Sequence, residues 1–245
     1  MDLKLQDKIV LITGATGGIG RQIAEDFEKE GAKVLVVYRN LQKFEKLTEA
    51  NPTITGYHCD LLKTDDIKKM IKLIVEDHKR IDILVNCAGA VVEAPFAIVD
   101  EDQIEKMLDI NLKSVMYLTK AILKPMVLQK EGSIVNVSSI TAQKGGRGIV
   151  AYASAKAGLD AFTRSLAIEM GRKNIRINGV RPGAISTDMS KTLKERAENY
   201  IAEATILGRF GNPKEVSKGV LFLASNETAS FITGTTLNID GGFML

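Results

Sequence analysis

Thiols, imidazoles and long apolar runs are scarce in this chain, and each scarcity closes off a class of function. Two cysteines, Cys59 and Cys87, stand alone in 245 residues with no Cys-x-x-Cys pair. A disulfide framework is thereby excluded, and two reduced, buried thiols in a reducing compartment are expected. The two histidines, His58 and His78, lie outside any metal-ligand spacing, so no metal is expected. No Gly-x-Ser-x-Gly elbow is present, which argues against serine hydrolase chemistry. No apolar run approaches the roughly 18–20 residues that a membrane span needs. The opening MDLKLQDK alternates charge with apolar residues and does not read as a targeting segment. Thirty-three Lys plus Arg against 30 Asp plus Glu leave a formal +3 without a basic block or acidic tail. Neither nucleic acid nor membrane is an expected partner, and the predicted compartment is the cytoplasm.

What is present is a regular alternation. The runs KIVLIT, KVLVVY, TITGYHC, DILVNCAG, GSIVNVSS, IRINGVRPG and TTLNID read as seven strands. Between them, amphipathic stretches predict helices over about 18–30, 64–79, 101–128, 151–172 and 213–224. Strands separated by helices imply βαβ units, hence a parallel α/β sheet with helices on both faces. No linker or composition break divides the chain, so residues 1–245 are read as one domain. Only the stretch 184–212 is long, polar and off the rhythm, which predicts a lid over a substrate.

The first strand runs into VLITGATGGIG, residues 10–20. Ligands of parallel sheets sit at the strands' C-terminal ends, where a helix N-terminus presents unpaired N–H groups. Glycines at Gly14, Gly18 and Gly20 let the backbone approach a pyrophosphate that any Cβ would obstruct. The pattern, Thr13-Gly14-x-x-x-Gly18-x-Gly20, is neither Gly-x-Gly-x-x-Gly nor a Walker loop. A NAD site places an acid at the end of the second strand to accept the ribose 2′-hydroxyl. Tyr38 and Arg39 stand there instead, and an arginine pairs with a 2′-phosphate, so NADP(H) is expected over NAD(H). Asp60, in HCDL, is placed to accept from an adenine amino group, or else to cap a turn.

Tyr152 and Lys156 are four apart on a predicted helix and share one face. An unperturbed tyrosine titrates near ~10. An ammonium nearby, with an oxidised nicotinamide, lowers that value and lets the phenol exchange a proton with an alkoxide. Ser139, ending the fifth strand, has a hydroxyl to hold the same substrate oxygen. The alternative from another class is a non-catalytic NADP-binding sensor or scaffold, which has no need of Ser139 or Tyr152.

Over nearly its whole length the chain resembles a short-chain dehydrogenase/reductase. The matching residues are TGATGGIG (13–20), NCAG (86–89), Asn111 in DINLKS, Ser139, Tyr152 with Lys156, and RPGAISTDM (181–189). The resemblance implies a doubly wound Rossmann fold, a nicotinamide cofactor and reversible reduction of a carbonyl. Carried over, Tyr152 is the acid/base, Ser139 orients the carbonyl, Lys156 holds the ribose hydroxyls and Asn111 supports a water linked to that lysine. Cofactor contacts implied are Gly14, Thr16, Gly18, Ile19, Gly20, Arg39, Asp60, Leu61, Asn86, Ala88, Gly89, Pro182, Gly183, Ile185 and Thr187, besides Tyr152 and Lys156.

Within the family, LGRFGNPKEVS and TLNIDGGFML are most similar to 3-oxoacyl-[acyl-carrier-protein] reductases. These reduce a thioester on an acidic carrier, met by basic residues beside the site entrance; the matching positions are Lys130 and Lys173. Two departures stand out: Gly17 where those reductases carry a basic residue, and GIVAY (148–152) with Ile149 and Ala151 in place of amides. The second keeps open another ketone or secondary alcohol as substrate, such as a sugar acid or polyol. The resemblance also implies a homotetramer joined through the helices at 101–128 and 151–172. Met107, Ile110, Val115, Leu118 and Ile122 are apolar positions for that contact, unless they face the protomer's own sheet.

Overall fold

The computed structural model of the chain describes residues 2–187 and 199–245. Seven strands, β1 (Ile9–Thr13), β2 (Lys33–Tyr38), β3 (Thr55–His58), β4 (Ile83–Asn86), β5 (Gly132–Val137), β6 (Ile175–Pro182) and β7 (Thr236–Ile239), form one sheet. Their order is β3-β2-β1-β4-β5-β6-β7, and every pairing is parallel. Such a sheet is covered on both faces, which is why all five residues of β1 and all six of β5 are buried. Alternate side chains divide between the layers. Val10 and Ile12 pack under α1 (Gly18–Lys29) through Ile23 and Phe27, together with Val216 and Val220 from α8 (Pro213–Ala224). Ile9 and Leu11 face the other layer, where Ile67 and Ile74 of α3 (Thr64–His78) meet Leu118 and Ile122 of α5 (Ser114–Gln129) and, after the short helix α6 (Thr141–Lys144), Leu166 of α7 (Val150–Met170).

Two helical expectations are corrected. A helix over Leu41–Ala50 (α2) lies between β2 and β3, started by Asn40, whose Oδ1 accepts from the Lys43 N–H at 2.9 Å. The stretch 101–128 is not one helix. It is α4 (Glu101–Leu108), a π-helical turn over Asp109–Lys113, and then α5. The π turn carries Asn111, as such turns commonly carry functional residues. Met107, Val115, Leu118 and Ile122 are buried in the protomer's own core. On these helices it is Met116, Tyr117 and Leu128 that remain exposed.

After β6, Ile185 pairs with Gly211 in an isolated parallel bridge. Ser186 N–H donates to the Gly211 carbonyl at 2.9 Å, and Gly211 N–H to the Ala184 carbonyl at 3.0 Å. The predicted lid thus leaves and returns at one point, and residues 199–204 of it are helical. Its positions 188–198 lie outside the described residues. Among the described residues no helix is long and apolar enough to cross a membrane.

Candidate active site

β1 turns to β2 on one side and β4 on the other, so a crevice opens between β1 and β4 at their C-terminal ends. Thr13 ties its two walls together, its Oγ1 accepting from the N–H groups of Cys87 (3.1 Å) and Ala88 (3.0 Å). Gly14 is required twice over: its φ is +73°, and a Cβ there would lie 2.7 Å from the Ala88 nitrogen. At Gly18 a Cβ would meet the Thr187 methyl at 2.8 Å, which places the start of the lid segment against the glycine turn. Thr16 and Ile19 are half-buried between them. Helix α1 begins with Gly17 as its N-cap, without a side-chain cap and without an acid in its first turn. Its N–H groups and positive end therefore remain for an anion. A pyrophosphate fits this turn.

Asn86, ending β4, belongs to a buried run of side chains. Its Nδ2 donates to Asn136 Oδ1 (2.9 Å) and Thr119 Oγ1 (3.3 Å), and Asn136 Nδ2 donates to Thr163 Oγ1 (2.9 Å). Asn86 Oδ1 is buried and meets no donor among the described residues. Gly89 lies between Asn111 and Lys156: a Cβ on it would be 2.9 Å from Asn111 Oδ1 and 3.6 Å from Lys156 Nζ. Asn111 is buried with its amide engaged by Ala90, donating to the carbonyl at 2.8 Å and accepting from the N–H at 3.2 Å. It pins the turn after β4.

Ser139, Tyr152 and Lys156 converge where β5 meets the start of α7. Ser139 lies close enough to the Tyr152 phenol to act on its titration. Ser139 Oγ accepts from the N–H (3.2 Å) and Oγ1 (2.9 Å) of Thr141, which leaves its own proton for another acceptor. Sequence reading missed Thr141; a hydroxyl two residues after Ser139 was the available signal. Lys156 is buried beneath the Tyr152 ring, its Nζ 5.8 Å from the ring centroid. Of its three N–H groups, among the described residues one finds an acceptor, the Val137 carbonyl at 2.8 Å. Two donors of a buried ammonium thus remain for a ligand's hydroxyls, as a ribose would supply.

Burial pulls Lys156 down to about 8. Burial also pushes the Tyr152 phenol above its ordinary value, and the Ser139 hydroxyl only partly offsets this. The expected lowering by Lys156 is not realised in the protein alone, because the ammonium lies under the ring and is bound to Val137. Cys87, beside both, is pushed up to about 12 by burial and stays a neutral thiol.

Arg39 is exposed one residue beyond β2, next to Tyr38, whose ring stacks on Phe44 at 4.4 Å. Asp60 takes the capping geometry: Oδ1 accepts from Leu62 N–H at 3.1 Å and Oδ2 lies 4.0 Å from Lys63 Nζ. Leu61 packs onto the core beneath α3. At the other wall Pro182 ends β6, Gly183 N–H donates to the Ile239 carbonyl at 2.9 Å, and Ile185 is buried.

Lys130 and Lys173 come together but not at this entrance. Asn174 Nδ2 donates to the Lys130 carbonyl at 3.0 Å. Both lysines immediately precede strands, β5 and β6, and so lie at the sheet's N-terminal edge. Counting along α7 puts them about 30 Å from Tyr152. Within one protomer they therefore lie at the opposite edge of the sheet from Tyr152.

Residues 14–244 match a family model described as Enoyl-(Acyl carrier protein) reductase. A 3-oxoacyl-[acyl-carrier-protein] reductase FabG of Thermotoga maritima is 38% identical over 247 residues, covering 99% of this chain and 100% of that protein. A short-chain type dehydrogenase/reductase from Mycobacterium ulcerans superposes with TM-score 0.92 at 32% identity, over 98% of this chain and 90% of the other. The ligand-free aldohexose dehydrogenase of Thermoplasma acidophilum gives 0.91 at 32%, over 100% and 96%. Similarity on this scale runs through both halves of the sheet and not through the glycine turn alone, and it carries the conclusion: the chain belongs to the short-chain dehydrogenase/reductase family and is an NAD(P)-dependent oxidoreductase.

Proposed function

We propose that this chain reduces a 3-oxoacyl thioester, presented by an acyl carrier protein, to the 3-hydroxyacyl thioester with NADPH. The observation that carries the chemistry is the convergence of Ser139 and the Tyr152 phenol above a buried Lys156, whose Nζ lies 5.8 Å from the tyrosine ring. The bound cofactor supplies a hydride. Ser139, oriented by Thr141, holds the substrate carbonyl oxygen, and Tyr152 gives that oxygen its proton. Because burial raises the phenol, Tyr152 is protonated at neutral pH and ready to donate, which suits reduction. Lys156 holds the ribose hydroxyls with its two remaining donors. Asn111 acts by fixing the turn 88–90, along which Asn86, Ala88 and Gly89 line the cofactor.

Gly14, Thr16, Gly18, Ile19 and Gly20 cradle the pyrophosphate, and Arg39 takes the 2′-phosphate. Asp60 and Leu61 border the adenine, and Pro182, Gly183, Ile185 and Thr187 border the nicotinamide. The segment 184–212 closes over the substrate. The mouth of the site favours an acyl chain over a polyol: Ile149 is the N-cap of α7, Val150 after it is 43% exposed, and both are apolar. A site for sugars needs buried hydrogen-bonding groups there.

The deciding assay is initial-rate oxidation of NADPH and NADH with an acetoacetyl thioester, on a carrier protein and on a short thiol. Turnover is expected with NADPH, faster on the carrier, and Arg39→Ala should raise the KM for NADPH about tenfold while leaving NADH unchanged. Turnover on aldoses or polyols with none on either thioester overturns the reading.

A homotetramer accompanies this proposal. Leu128 at the end of α5 is 74% exposed and Ile168 on α7 is 86% exposed, an apolar surface for another copy to cover. Antiparallel contact of these helices would also bring Lys130 and Lys173 to the entrance of the second copy's site, where they could meet an acidic carrier. Sedimentation should give four times the 26.7 kDa chain mass, and a clean monomer excludes the arrangement.

A further inference from the structure

Tyr152, Lys156 and Asp160 recur every fourth residue on α7 and so share one face. Asp160 is buried, and the proposed chemistry leaves it without a role. Its Oδ2 accepts from Arg181 Nε at 2.7 Å. Its Oδ1 is buried too and meets no donor among the described residues. Arg181 is itself buried, on β6 immediately before Pro182, with Nη1 donating to the Thr236 carbonyl and to Asn238 Oδ1, each at 3.2 Å. One carboxylate, with one oxygen engaged and one not, is therefore paired with buried Arg181 and lies one helical turn from buried Lys156.

A buried ammonium persists only if an opposite charge offsets its lost hydration. The groups that face Lys156 are few. From α7 they are the neutral Tyr152 and Asp160, whose carboxylate is paired with Arg181; from the end of β4, the thiol of Cys87. β5 contributes the Val137 carbonyl, and the π turn and Gly89 bring only the uncharged Asn111 amide. Arg181, on β6, reaches this region through Asp160.

We infer that Asp160 is a positioning residue for the proton-transfer machinery: its unpaired oxygen supplies the counter-charge that keeps Lys156 an ammonium under Tyr152, and Arg181 both orients that carboxylate and sets how much of its charge reaches the lysine. Asp160 acts on Lys156 in the sense opposite to burial, as this requires. The inference rests on Lys156 serving Tyr152 and the cofactor as proposed above.

A tie between α7 and β6 would also need Asp160 and Arg181, so the test turns on sign. If the pair only joins elements, Asp160→Asn and Arg181→Gln both lower the melting temperature and neither changes how Lys156 titrates. If Asp160 supplies the counter-charge, the two variants move Lys156 in opposite directions. Lysine side-chain 15N–1H NMR of the whole enzyme, with the Lys156 signal assigned by its loss in Lys156→Arg, reads the titration directly. The pH profile of NADPH-dependent reduction reads its consequence.

In the parent protein the Lys156 midpoint is expected near 8. Asp160→Asn should lower it by about one pH unit, a tenfold loss of proton affinity, and Arg181→Gln should raise it. Activity needs the ammonium, so the rate should fall as pH rises through each midpoint, earlier in Asp160→Asn and later in Arg181→Gln. Midpoints unmoved, or moved the same way in both variants, overturn the inference. Midpoints that move as stated while the rate profiles coincide uphold the coupling of Asp160 to Lys156 and overturn the catalytic reading of the lysine. Should Asp160→Asn fail to fold, Arg181→Gln decides alone: an upward shift supports the inference, and an unmoved or lowered midpoint refutes it.

Discussion

Replacing Tyr152 by phenylalanine should cut kcat about a thousandfold and leave NADPH affinity within a factor of two. The phenol is the group placed to protonate the substrate oxygen, and losing a positioned general acid typically costs 10²–10⁴-fold. Affinity should survive because the substitution removes one oxygen only. The ring stays over Lys156, whose Nζ keeps its bond to the Val137 carbonyl, so the donors facing the ribose do not move. Fluorescence titration of NADPH beside single-turnover rates separates the two quantities. Residual turnover above a tenth of the parent rate would mean that another group delivers the proton. Ser139→Ala should cost less, since it removes an orienting contact and leaves the donor in place; the Thr141 hydroxyl, now without its acceptor, can turn into the gap.

Gly20→Ala should destroy the cofactor site, whereas Gly17→Ala, three residues earlier, should be close to silent. A Cβ at Gly20 would overlap the carbonyl of Gly14, and both partners of that clash are backbone. The first turn of α1 would have to move off the end of β1, carrying its N–H groups with it. Overpacking of this kind costs about 1–3 kcal/mol in stability, and the displaced turn should weaken NADPH at least tenfold. At Gly17 the added methyl would stand 3.7 Å from the same carbonyl, an ordinary contact. Calorimetry of NADPH binding to the two variants, with their melting temperatures, measures the contrast. Equal effects at both positions would show that the turn yields to any side chain, and the close-approach account of these glycines would be wrong.

The sheet could be read from the chain because each buried strand is a β-branched run, and a parallel strand covered on both faces leaves few other residues possible. Leu41–Ala50 escaped notice because its helix is short and mostly polar, with Leu47 as its one buried side chain. The break at Asp109–Lys113 escaped for another reason: one extra residue in a turn does not interrupt an apolar pattern that is already loose. Ser139, Tyr152 and Lys156 were legible through spacing, since Tyr152 and Lys156 share a helix face. Asp60 was legible only as two alternatives, and its carboxylate closes the turn before α3. The partnership of Asp160 with Arg181 could not be read at all, because a pair 21 residues apart in sequence meets only when α7 folds back along β6. The distance of Lys130 and Lys173 from their own protomer's Tyr152 could not be read from motifs, because motif matching ignores strand direction: residues just before a parallel strand lie at the opposite edge from those just after it.

The bridge between Ile185 and Gly211 closes a loop between β6 and α8. Once those two residues are joined, the chain between them closes on itself, and doubling its length would cost only about 0.6 kcal/mol in loop entropy. Its two ends are tied to the body: Thr187 packs against Gly18, Ile201 and Thr205 are buried, and Leu207 N–H donates to the Gly241 carbonyl at 3.0 Å, so exchange of these residues would be felt beyond the loop. On the proposed reading of this segment as a lid, a change of loop length is nonetheless a cheap way for relatives with the same sheet to diverge in what they reduce.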